Sequence, residues 1–244
     1  QAGNSSGNFA VTAGTLTKTE DNPSNIFATL NPLNGVYYAG LGFLNGNTSI
    51  TTTAGNYAPG LSTLGVNSGK WYAEFKMTSS SNWAMVGVTG QVANATNYSI
   101  GHGTTGYAYA GGSSSTGQQS NDNNLTAYGS AYNNGDIIGI ALDLDNHKLY
   151  FHKNGTYQNS GVPTSGSTGT GAISISTSPD TGFYHMGVGN YSGSQTPSWS
   201  ANFGNGFFGT TAVSSAGTNA SNLGIFEYDV PTGYTALCTK GLNE

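Results

Sequence analysis

The stretch GDIIGIALDLDNHKLYFHKNG, Gly135 to Gly155, alternates on both sides of a short polar break. Ile138, Ile140, Leu142 and Leu144 fall on one side of the chain, with Ala141, Asp143 and Asp145 on the other, and the pattern resumes at Leu149 and Phe151. Alternation with a period of two marks strands with one buried face. Asp145-Asn146-His147-Lys148 supplies side chains that hydrogen-bond their own backbone and tolerate tight turns. The segment is predicted to be a β-hairpin with its isoleucines and leucines in the core, and with His147 and His152 facing water.

Further strands are read outward from this hairpin. GKWYAEFKM, Gly69 to Met77, places Trp71, Ala73, Phe75 and Met77 on one face and Tyr72, Glu74 and Lys76 on a wet one. NWAMVGVTG from Asn82 is apolar on both sides, as in a central strand, and Gly87 leaves room for a close neighbour. FYHMGVGN from Phe183 and SWSANFG from Ser198 add two short alternating runs. No helical period of useful length occurs, so the chain is predicted to be all-β. The longest loops are read at SSSTGQQSNDNN, residues 113–124, and NSGVPTSGSTGTG, residues 159–171. Loops on a rigid scaffold are where recognition concentrates.

Composition narrows the function classes. The 244 residues suit one β-domain with a proper core. Six lysines, no arginine and eleven acids give a net charge of −5, which argues against nucleic acid, because phosphate recognition needs clustered cations and arginine forks. No apolar run approaches the ~20 residues of a membrane span and no signal-peptide pattern opens the chain, so it reads as soluble. The first residue is Gln1, which points to a processed product or a piece of something longer. Cys238 stands alone, which excludes an intrachain disulfide and multi-cysteine metal sites, and YTALCTK reads as a terminal strand with Cys238 as an apolar filler. Asn-x-Ser/Thr triplets at Asn47, Asn94, Asn97, Asn124, Asn154 and Asn190 follow from an Asn-, Ser- and Thr-rich composition.

Taken in order, GKWYAEFKM, WAMVGVT, GYAYAGG from Gly106, the opening hairpin and FYHMGVGN with WSANFG resemble a SPRY domain. The hairpin carries the most specific part of the likeness, a Gly-Asp-x-Ile-Gly, Asp-Leu-Asp and Lys-Asn-Gly series. The resemblance implies an antiparallel β-sandwich, a concanavalin-like jelly roll with long Gly/Ser/Thr/Asn-rich loops, that recognises partners without catalysis. FATLNPLNGVYYAGLGFLNGNTSITTTAG from Phe27 resembles the extra amino-terminal strands of longer members. The flanks DNPSNIFATLNPL from Asp21 and YDVPTGYTALCTKGLNE from Tyr228 resemble those of SPRY-like structural proteins of tailed bacteriophages. The implied organisation is a linker or arm over residues 1–25, the sandwich over 26–206 and a C-terminal extension over 207–244 that packs back on it.

No candidate set of residues makes an active site. Asp143, Asp145 and Asn146 have oxygens to offer calcium, but no bidentate acid follows at loop spacing, and the family carries these aspartates as hairpin residues. His147 and His152 have no cysteine near them to complete a zinc site. Glycoside hydrolysis needs two acids across a cleft, whereas Glu74, Asp143 and Asp145 each read as the solvent face of a strand. Neither GHG at Gly101 nor YHM at Tyr184 has a nucleophile-elbow neighbour for a triad. Neither a catalytic residue nor a cofactor or metal is therefore expected.

Binding candidates lie in and beside the loops before the hairpin: Tyr98, His102, Tyr107, Tyr109, Gln118, Asn121, Asn124, Tyr128 and Tyr132, with Tyr157 after it. Aromatic rings among amides suit recognition of sugar or protein. Packing on a sheet face is the competing reading for the tyrosines, Tyr107 and Tyr109 above all. The expected function is a structural protein of a tailed-phage virion, in a fibre, appendage or capsid surface. Other virion proteins would be its partners, and the chain a homo-oligomer. The alternative is an adhesin for a host-surface glycan or protein.

Overall fold

Alternating apolar residues pair into two antiparallel sheets in the computed structural model, which describes residues 25–33, 41–52, 59–79, 82–91, 99–112, 115–191 and 196–243. The strands are β1 (Gly42–Leu44), β2 (Ser49–Thr51), β3 (Gly60–Leu61), β4 (Lys70–Ser79), β5 (Ala84–Thr89), β6 (Gly106–Gly111), β7 (Gln118–Asn121), β8 (Asn124–Ala127) and β9 (Ile137–Asp143). They continue with β10 (Lys148–Lys153), β11 (Thr156–Tyr157), β12 (Ile173–Ser174), β13 (His185–Asn190), β14 (Ser198–Asn202), β15 (Phe207–Phe208), β16 (Thr211–Ala212) and β17 (Thr235–Ala236). The larger sheet runs β1-β2-β14-β4-β9-β10-β11, with β12 also on β10 and β17 parallel to β4. The smaller runs β3-β13-β5-β6-β7-β8, and β15 pairs with β16 alone. The chain is thus an antiparallel β-sandwich.

The core lies between the inner faces. Phe75, Met77, Ile138, Ile140, Leu142, Phe151 and Trp199 from the larger sheet meet Val86, Val88, Tyr109, Met186 and Val188 from the smaller, all fully buried. β5 is central, and Gly87 sits where a Cβ would run into the carbonyl oxygen of Tyr107 on β6, so the close neighbour is a backbone. The β9–β10 hairpin pairs from Asp143↔Lys148 to Ile138↔Lys153. Its turn is closed by Asn146 N–H donating to Asp143 Oδ1 at 3.0 Å and by the left-handed φ of 53° at His147.

Two sequence expectations need correction here. Residues 113–124 are not simply a loop: 118–121 form β7, which pairs with β8 around Asp122 and Asn123, both at positive φ (50° and 60°) as a two-residue hairpin turn of type I′ demands. The outer face of β4 and β9 is also not wet. Glu74, Asp143 and His152 are buried. The segment around Phe226 and Tyr228 lies over that face: the Phe226 ring meets Tyr72 edge-on at 4.9 Å, and the Tyr228 ring meets His152 at 5.2 Å.

Candidate interaction surfaces

The buried cluster on the outer face of the larger sheet has residue types that elsewhere do acid–base work. Gly139 stands between Glu74 and His152 in register, and a side chain there would collide with the imidazole. His152 Nδ1 accepts from Gly155 N–H at 3.1 Å, so Nε2 carries the proton and donates to Tyr72 Oη at 2.6 Å. Tyr72 O–H in turn donates to Glu74 Oε1 at 3.0 Å. Glu74 also accepts from the backbone N–H groups of Glu227 and Tyr228, each at 2.8 Å, and from Asn202 Nδ2 at 3.4 Å.

Burial pushes the Glu74 carboxyl up to about 7 against the pull of these donors, and burial pushes the His152 imidazole down to about 3. Every member is enclosed, at 0% exposure for Tyr72 and Glu74 and 1% for His152. A substrate has no way to reach the cluster, so it acts as a clasp holding the C-terminal segment on the sheet.

The turn aspartates are engaged in the same structural manner. Asp143 Oδ2 pairs with Lys70 Nζ at 2.9 Å and accepts from Asn146 Nδ2 at 2.8 Å, while Asp145 Oδ1 accepts from Gly69 N–H at 2.8 Å. Among the described residues, no three His, Cys, Asp or Glu side chains come together as a metal site.

The tyrosine candidates separate by burial. Tyr109 and Tyr132 are fully buried and Tyr107 and Tyr128 are 6% exposed, so these four pack in the core, Tyr128 and Tyr132 from the connection between β8 and β9. Their hydroxyls are satisfied there: Tyr132 donates to Tyr109 O at 2.7 Å, Tyr107 to Thr104 O at 3.0 Å, and Tyr128 accepts from Phe151 N–H at 3.2 Å. Burial pushes the phenols of Tyr109, Tyr128 and Tyr132 upward. Tyr157 is half-buried against His152, with ring centroids 5.4 Å apart. His102 Nδ1 lies 2.7 Å from Asn123 Nδ2 at the tip of the β7–β8 hairpin. Gln118 is half-buried and falls on the opposite face of β7 from Asn121, and Tyr98 lies outside the described residues.

Two openings among the described residues bear on binding. One is a cleft of about 330 Å³ between β7–β8 and β12, which brings together Tyr107, Asn121 and Asn124 with Gln119, Thr126 and Ile173. Residue-by-residue reading missed the last three, although Gln119, Asn121, Asn124 and Thr126 alternate around Asp122-Asn123 in the sequence. The second is a groove of about 510 Å³ lined by Val66, Lys70, Trp71, Phe183, Tyr234 and Leu242 among others. Phe183 and Leu242 stay 46% and 42% exposed, and Lys70 Nζ lies 5.8 Å from the centre of the Tyr234 ring.

Comparison with known proteins agrees with this architecture. Residues 70–182 match the SPRY domain family model. The chain is 37% identical over 94 residues to the ATP-dependent RNA helicase Ddx1 of Drosophila melanogaster, an alignment covering 38% of this chain and only 12% of that protein. The crystal structure of the SPRY domain of human HERC1 shares the fold, with a TM-score of 0.51 at 19% identity over 66% of this chain and 91% of that one. SPRY domains are generally non-catalytic modules of protein–protein interaction, and no enzymatic family is indicated. By family model residues 70–182 are similar to a SPRY domain, and the structural likeness shows the same fold.

Proposed function

We propose that this chain is a non-enzymatic interaction module that docks a protein partner in the groove beside Phe183 and Leu242. The groove carries this reading. It leaves two large apolar side chains in water next to Trp71 and Tyr234, the combination of apolar anchor and aromatic wall that interface cores use. A monomer gains nothing by exposing Phe183, whereas a partner that covers it removes apolar area from water.

The setting proposed is the surface of a tailed-phage virion, in a fibre, appendage or capsid component. The support is the resemblance of the flanks from Asp21 and from Tyr228, together with loops poor in charge and rich in Ser, Thr, Asn and Gly. Immunogold labelling of intact particles with an antibody to this chain is expected to mark the virion surface. Label confined to host cells, with purified particles bare, overturns the setting. Within that setting docking is tested with Phe183→Asp, expected to enter particles at least tenfold less well at an unchanged melting temperature. Full incorporation of that variant rejects the groove.

A further inference from the structure

We infer that the cleft between β7–β8 and β12 is a binding site for an uncharged glycan. The site goes beyond the protein-docking reading and lies on other strands, so either can fail without the other.

The register of the smaller sheet creates the site. Tyr107 faces Asn121 across β6–β7, Asn121 faces Asn124 across the turn, and Gln119 faces Thr126. Directly opposed residues in an antiparallel pair share one face, so Gln119, Asn121, Asn124 and Thr126 point to the same side as the core residues Tyr107 and Tyr109. On any strand fully inside the sandwich, four polar side chains on the core side would be costly to bury. Here the hairpin overhangs the core, and these side chains open onto the cleft instead. Gln119 and Asn121 are half-buried, and Asn124 and Thr126 are exposed.

The chemistry of the lining selects the ligand. Asn121 Nδ2 donates to Gly106 O at 2.9 Å, which fixes the amide at the cleft wall. The side chains of Gln119, Asn124 and Thr126 make no hydrogen bond among the described residues. Each amide and hydroxyl offers both a donor and an acceptor, which suits sugar hydroxyls that are themselves both.

No ionisable side chain other than Tyr107 lines the cleft among the described residues, so an amine finds no carboxylate there and no cation stands among the lining side chains. At its rim, Lys148 Nζ is turned to Ser174 Oγ at 3.0 Å. The facing wall is Ala172, Ile173 and Ser174 at β12, and Ala172 and Ile173 give it an apolar part that suits the C–H face of a pyranose ring. The volume, about 330 Å³, sits at the small end of ligand pockets and fits a short glycan terminus. A peptide is the poorer fit, because strand addition would use the backbone edge of β8 and not the side chains that line the cleft, and side-chain anchors need apolar pockets.

The full chain should be tested on a printed array of neutral and acidic oligosaccharides. Retention of neutral glycans is expected, with at least about a tenfold loss in the double variant Asn124→Ala/Thr126→Ala, which removes two ligand hydrogen bonds. Thr126→Trp, which fills the cleft, is expected to abolish retention. Both positions changed, Asn124 and Thr126, are exposed on the β7–β8 hairpin, so an unchanged melting temperature separates a lost site from a lost fold. Three outcomes overturn the inference: no neutral glycan retained, retention indifferent to these variants, or a preference for acidic glycans. Capture of a neutral polar peptide from a displayed library, sensitive to the same variants and without any glycan binding, assigns the cleft to a peptide and likewise overturns it.

Discussion

Two hairpins of this molecule are turned by the same residue types and serve opposite ends. In β9–β10 the connection Leu144–His147 joins strands that are almost wholly buried, and apolar side chains alternate with a pinned network of Asp143, His152 and Gly139. In β7–β8 the connection is Asp122-Asn123, and the side chains facing the core side are amides and a hydroxyl. The first hairpin lies between β4 and the short strands β11 and β12 of the larger sheet, with a layer on each side. The second is the margin of the smaller sheet, where the core has run out. Binding chemistry thus becomes available on a sandwich where a strand keeps its backbone partners but loses the opposing layer.

The largest test of this contrast is Ile140→Asp on β9, which places a charge at 0% exposure with no partner. A loss of about 4 kcal/mol or more in urea denaturation is expected, in practice an unfolded protein. A variant that melts normally would mean the hairpin is not central to the core.

Next in size is the clasp beneath the C-terminal segment. The Glu74 pKa rises from 4.5 in the open chain to about 7 in the fold, so the folded state holds the extra proton between these values and stability falls as pH rises through that window. The His152 pKa drops from 6.5 to about 3, so the unfolded state holds the extra proton, and stability rises with pH between 3 and 6.5. The two slopes oppose one another between pH 4.5 and 6.5. Relative to the wild-type profile across that range, Glu74→Gln is expected to tilt upward with pH by about 3 kcal/mol, and His152→Gln downward by a similar amount. Denaturation midpoints measured at several pH values check both signs; parallel profiles for all three proteins would remove the clasp.

Gly87→Ala is smaller in effect, about 2 kcal/mol, because its Cβ meets the Tyr107 carbonyl, a backbone atom held in the ladder. Thermal unfolding reports it. The smallest effect belongs to the other hairpin: Asn124→Ala should leave stability within about 0.5 kcal/mol. A loss several times larger would show that the amide supports the fold, and would sharpen the contrast by placing β8 with the core strands.

The strands β4, β5, β9, β10, β13 and β14 were legible because each buries at least one face, and burial writes a period of two into the sequence. β7 and β8 were not legible, since Gln118 to Ala127 contains a single large apolar residue, Leu125. Their strand character comes from pairing with β6 and from a type I′ turn. The cleft was half visible, through Tyr107, Asn121 and Asn124, but its members share a face only once the register is known.

By itself, the sequence determined the all-β class, the β9–β10 hairpin of the larger sheet and its apolar residues that fill the core, because local alternation and turn chemistry act over a few residues. It also carried the resemblance to a SPRY domain that the family model repeats over residues 70–182. Only the tertiary structure decided that Glu74, Asp143 and His152 are dry and that Gln119 and Thr126 face a cleft. The donors that enclose Glu74 stand 153 and 154 residues away in the chain. Alternation tells which residues share a face, but whether water or another layer covers that face depends on segments far off in sequence.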